Sequence, residues 1–228
     1  NLGDSAAAES HAADALSAAE RMVEEDRGSD RSLQDHVWAN WTMGSVLLPT
    51  KPRLALPYLE AAREIATKGN EGGDAIHQES EANAEEALGH ALLATGDRQR
   101  GVELLRKATR TLERISSQWP QKIDYRFSLI RALNGLGDAL PVSDAAEFYE
   151  KAYLAAESIP ANARNVRELM NQAEVNLRWP RWNASAPAAE RQLKLEIAMR
   201  SLQTLLSYAP DNRSLQKHLA EARRALLR

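Results

Sequence analysis

The side chains that could carry chemistry in this chain are five histidines, two close tryptophan pairs, and scattered carboxylates and arginines. The histidines are His11, His36, His77, His90 and His218. None has another at the three- or four-residue spacing that sets two metal ligands on one helical face, so no zinc site is expected. There is no cysteine, which excludes disulfides and thiolate nucleophiles. No glycine-rich phosphate loop, Gly-x-Ser-x-Gly elbow or kinase signature occurs, so any catalytic domain would lie outside this chain. Glu85-Glu86 and Glu24-Glu25-Asp26 are neighbours along the chain, not carboxylates opposed across a cleft, and read as solvated helix surface. Three Asn-x-Ser/Thr triplets, at Asn40, Asn183 and Asn212, are no more than chance supplies. The expectation is a chain that is not an enzyme and carries no metal or cofactor.

Recognition is what remains, and it depends on the elements that hold these residues. Leu2-Gly3, Met43-Gly44, Leu88-Gly89 and Leu136-Gly137 recur at intervals of 41, 45 and 48 residues, each ahead of an alanine-rich amphipathic stretch. Self-similarity at about 20–50 residues marks repeats that bury their apolar faces against neighbouring copies. Hydrophobic residues are 43% and charged ones 27% of the 228, and no segment alternates with period two, so the expected class is all-α. No apolar run approaches the ~20 residues that cross a bilayer, and no membrane insertion of this segment is expected. A net charge of −3 gives no basic field for nucleic acid. Residues 1–30 hold eight acidic and two basic side chains, whereas residues 160–228 hold twelve basic and six acidic. That polarity permits head-to-tail self-association or steering of an acidic partner. The chain starts without Met inside a helical pattern and reads as a mature fragment or excised domain. A cytoplasmic setting is the simpler one, with an extracytoplasmic setting if the parent protein is membrane-anchored.

The expected units are a truncated one at 1–28, hairpins at 31–69, 74–119, 121–160 and 163–208, and a capping helix at 211–228. Ser32 with Asp35 has capping-box spacing. Pro49 and Pro52 break the first hairpin, and Lys68-Gly69 ends it. Gly96-Asp97 and Leu140-Pro141 turn the next two, Asp144 with Glu147 can cap a returning helix, and Pro120 and Pro160 close hairpins. The connection Trp179–Pro187 is longer, and burying Trp179 and Trp182 would anchor it.

These units resemble tetratricopeptide repeats. The matches are Met43, Gly44, Leu47, Ala55, Leu59 and Ala62 in the first hairpin, then Leu88, Gly89, Leu92, Gly96, Leu105, Ala108 and Pro120 in the second. In the third they are Leu136, Gly137, Leu140, Ala145, Tyr149, Ala152 and Pro160. The family period is about 34 residues and these units are longer. Asn40 and Glu85 stand where the family carries a large residue. The chain is also similar to long-period repeats attached to bacterial serine/threonine kinases. The resemblance implies a right-handed superhelix whose first helices line a concave, protein- or peptide-binding groove. Its lining positions fall on Trp38 and Trp41, on Asn83, Glu86 and His90, on Arg131 and Asn134, and on Arg167 and Met170, flanked by Ser45, Asp138 and Glu174. Arginine forks suit an acidic or C-terminal peptide, and tryptophan suits an interface hot spot. Trp38 and Trp41, sharing a face, can equally pack on the preceding unit, and Arg131 and Arg167 can pair with nearby carboxylates. A regulatory or dimerising module of a larger signalling protein is the alternative role.

Overall fold

The computed structural model describes residues 5–26, 29–69, 73–159 and 165–227. The Leu2-Gly3 copy and Pro160 fall outside the described residues. Those described form ten helices and no strand: α1 (Ser5–Glu25), α2 (Asp30–Leu47), α3 (Pro52–Gly69), α4 (Ala75–Thr95), α5 (Arg98–Gln118), α6 (Ile123–Ala139), α7 (Val142–Glu157), α8 (Val166–Trp182), α9 (Ala188–Tyr208) and α10 (Arg213–Leu226). The chain is all-α and runs as consecutive antiparallel helix pairs, in two compact units, Ser5–Trp119 and Pro120–Arg228.

In the Ser5–Trp119 unit each helix packs on the next, and α2 also lies along α4. Alanine makes this possible. Ala55, Ala87 and Ala91 join Leu47, Leu59, Leu88 and Leu92 in one cluster, where small residues let backbones approach and leucines fill the gaps. The glycine notches are the tightest places. A Cβ built on Gly101 would stand 2.8 Å from the Gly89 carbonyl oxygen, so α4 and α5 cross backbone to backbone. Gly96, at φ 100°, caps α4 in the left-handed region that favours glycine.

In the Pro120–Arg228 unit α6 pairs with α7 and α8 with α9, while α6 also lies along α8. Gly137 receives the Tyr149 ring, whose Cε1 would be 2.6 Å from an added Cβ. Where the fourth hairpin carries alanine instead, Ala173 clusters with Leu202, Leu205, Leu215 and Leu219. Leu215 and Leu219 come from α10, which lays its apolar stripe on α9 as a terminal helix with one greasy face should.

Four local expectations are corrected. Ser29, not Ser32, caps α2 by accepting a hydrogen bond from the Ser32 N–H, and Ser32 is buried inside the helix. No side chain caps α7: its N-cap is Pro141, which has no side-chain acceptor, and Asp144 lies inside the first turn, accepting from Ser143 Oγ at 2.8 Å. Gly69 is the last residue of α3 and does not take the left-handed conformation of a capping glycine. Finally, α8 runs through Pro180 to Trp182, so both tryptophans sit on helix and not in a loop. Trp179 is buried and meets Trp182 edge-on at 5.9 Å. Pro180 lies in the last turn of α8, where the lost hydrogen bond leaves few residues of helix to disrupt.

Candidate partner-binding faces

The first helices carry the residues singled out for binding, and each unit presents them differently. In the Ser5–Trp119 unit, Ser80 Oγ donates to Gln34 Oε1 at 2.7 Å and sets the register of α2 against α4. Four residues on, Trp38 stands level with Asn83 and Ala84. Its ring is 40% exposed and meets Trp41 edge-on, centroids 5.1 Å apart. Trp41 is half-buried and packs against the cluster that α3 and α4 share with α2. Trp41 therefore packs toward the following hairpin. On α4, Asn83 and Glu86 are buried, and half-buried His90 brings Nε2 to 3.4 Å from Glu86.

The reading of Glu85-Glu86 as solvated surface is overturned, since both are buried, Glu85 completely. Helices pack on α4 from several sides, so its polar positions are enclosed as well. Lys107 Nζ from α5 reaches Glu85 at 2.5 Å and Glu81 at 3.0 Å, and Arg63 Nε from α3 approaches Glu85 at 3.6 Å. Burial pushes the Glu85 carboxyl above its ordinary value, against the pull of Lys107 and Arg63. Asn40, the other polar stand-in for a large residue, is also buried, and its amide donates to the His36 carbonyl at 3.0 Å. Burial removes Asn40 as a glycosylation acceptor, and Asn212 serves as the cap of α10.

In the Pro120–Arg228 unit the face of α6 and α8 is a charged ladder. Arg167 donates to Asp124 at 2.8 Å, and its guanidinium lies 5.8 Å from the centroid of the Phe127 ring. Both members of that pair are exposed. Arg131 is half-buried, Met170 packs on the α8–α10 cluster, and Asn134 is buried with neither amide atom hydrogen-bonded. At the far end Arg178 Nη2 meets Asp138 at 2.6 Å, and Tyr149, seated in the Gly137 notch, donates its hydroxyl to Asp138 at 2.7 Å. Burial works to raise the Asp138 pKa, but Arg178 and the Tyr149 hydroxyl hold it below the usual carboxylate value. Burial and the same carboxylate raise Tyr149.

A folded-state pKa that is depressed gives stability present above the unfolded value and lost as pH falls through the folded one. The α6–α8 face should therefore loosen in acid more than the rest of its unit. Hydrogen exchange of α6 and α8 amides between pH 5 and pH 3 should show that loss in the wild type and much less of it in Asp138→Asn. Equal acid sensitivity in both would remove Asp138 from the account.

Sequence reasoning named Asp138 but not Arg178 or Tyr149 as its partners, nor Asp124, Lys107 and Arg63. Tyr149 is 11 residues from Asp138 and the other pairs are 22 to 43 apart, and only repeat register could have suggested the latter. Among the described residues no group of three or more His, Cys, Asp or Glu is placed to hold a metal. None of the described helices is long and apolar enough to cross a membrane.

No family model matches the sequence, and no curated protein matches it. Among solved structures the chain is similar to BtubC (BKLC) from P. vanneervenii, with 13% identity and a TM-score of 0.58. The likeness covers 96% of this chain and 90% of that one. At that identity it speaks for the all-α fold alone.

Proposed function

We propose that the chain is a protein- or peptide-binding scaffold of the tetratricopeptide kind, using the first-helix faces of its hairpins. The observation that carries this reading is Trp38: a large ring left 40% in solvent on a helix whose other apolar residues are packed. Its orientation is fixed by Trp41, and rigid aromatics at little ordering cost are what interface anchors require. The notches at Gly89, Gly101 and Gly137 support the family reading, because they place small residues where paired helices cross. In the second unit Arg167 fits a partner carboxylate. Its pairing with Asp124 is exposed, and exposed pairs are worth about 0–1 kcal/mol, so exchange for a ligand carboxylate costs little.

Panning a displayed peptide library on the wild-type chain and measuring the selected clones tests this. Trp38→Ala should weaken clones bound to the α2–α4 face by roughly tenfold or more, the range of an anchor residue, with helix content by circular dichroism unchanged. A set of clones indifferent to Trp38 and to Arg167 alike would end the proposal.

A further inference from the structure

We propose that the outer side of α5 docks an acidic helical segment of a partner protein, on a surface separate from the first-helix faces. Arg106, Arg110 and Arg114 are all exposed and follow one another at four-residue steps. Leu105, Ala108, Leu112 and Ile115 of the same helix are buried, so helical geometry turns the three arginines directly away from the core. Lys107 is different: it points to α4 and is held there by Glu81 and Glu85. Glu103 lies three residues before Arg106 and Glu113 three after Arg110, surface pairings worth about 0–1 kcal/mol that a partner's carboxylates can displace, while no acid of α5 stands three or four residues from Arg114. Like charges at this spacing repel, and the acids beside the stripe are two, exposed Glu103 at its N-terminal end and half-buried Glu113 between Arg110 and Arg114.

The stripe spans about 12 Å at 1.5 Å per residue. Carboxylates at i, i+4 and i+8 of another helix would repeat the same interval, and each guanidinium fork can take one of them in a bidentate pair. A nucleic acid fits less well, for two reasons. Tight binding of a polyanion draws on many phosphate contacts, and the chain offers a net charge of −3 with acidic α4 packed beside α5. Within α4 there are four glutamates and no lysine or arginine.

The probe is a fluorescein-labelled alanine-based helical peptide with glutamate at i, i+4 and i+8, titrated by anisotropy at low salt against the full chain. Binding should fall more than about tenfold in R106E/R110E/R114E. It should survive in R213E/K217E/R223E, which makes the same charge change on α10, and in Trp38→Ala, whose loss reports only on the first-helix face. A peptide with glutamine at the three positions should not bind. Circular dichroism checks the fold, and R106Q/R110Q/R114Q replaces the reversal variant should that variant unfold. Equal loss in the α10 variant, dependence on Trp38, or stronger α5-dependent binding of a single-stranded oligonucleotide or an anionic lipid vesicle would each overturn the assignment.

Discussion

Gly101→Val should destabilise the Ser5–Trp119 unit by about 3 kcal/mol, at the upper end of what overpacking a close helix crossing costs. The reason is that the obstruction is backbone. A Cβ at this position meets the Gly89 carbonyl oxygen at 2.8 Å and Leu93 Cγ at 2.9 Å. A leucine side chain can change rotamer, but a carbonyl inside α4 can move only with its helix. Valine adds two further methyls and is stiff at χ1. Gly101→Ala separates crowding from propensity, because alanine gains about 1 kcal/mol in a helix interior over glycine. Alanine carries the same Cβ against the Gly89 carbonyl, so it should also destabilise, but by less than valine, because its helix propensity offsets about 1 kcal/mol of the crowding. Urea unfolding followed by circular dichroism reads both. A valine variant as stable as wild type would mean that α4 and α5 do not cross as closely as described.

Lys107→Ala should cost about 2 kcal/mol and Glu85→Gln in the same chain should return part of it. Removing one partner of a buried ion pair typically costs 3–5 kcal/mol, because the other charge is left in the interior. Glu85 meets that description with its side chain 1% exposed, but Lys107 is 46% exposed, so water reaches the vacated position and the cost is discounted. Arg63 at 3.6 Å also remains. Neutralising Glu85 removes the stranded charge, so the double variant should be more stable than Lys107→Ala alone. Because burial raises the Glu85 pKa, its protonated form is favoured by folding. Lowering the pH through the folded value should thus relieve Lys107→Ala, opposite in sign to the effect at Asp138. A double variant less stable than the single one would show that Glu85 is held by contacts other than Lys107.

Much of the helical layout was legible in sequence because it rests on local chemistry. Gly96 after a leucine stripe, Pro49 just past the end of α2, and apolar positions at three- and four-residue steps each act within one turn of chain. The resulting helices fall within a few residues of the expected hairpins. The failures are of another kind. Pro180 looked like a stop but lies within the last turn of α8, and Trp179, buried beside it, is held by packing that the local sequence does not show. Glu85-Glu86 looked solvated because adjacent acids usually are, yet α4 is enclosed by its neighbours.

The same division runs through the candidate binding residues. Their helical phase was available from the glycine register, and it put Trp38, Asn83, Arg131 and Arg167 at equivalent positions. Equivalent phase did not give equivalent exposure: Trp38 stands out in solvent, Asn83 is enclosed, and Arg167 is engaged by Asp124. By itself the sequence determined that this is a run of alanine- and glycine-notched helices, since propensity, capping and periodicity act over a turn or two. Which polar side chains are buried, which arginines already hold a carboxylate and which aromatic ring meets water were decided by tertiary packing, because those depend on residues far apart in sequence, as Lys107 is from Glu85 and Arg167 from Asp124.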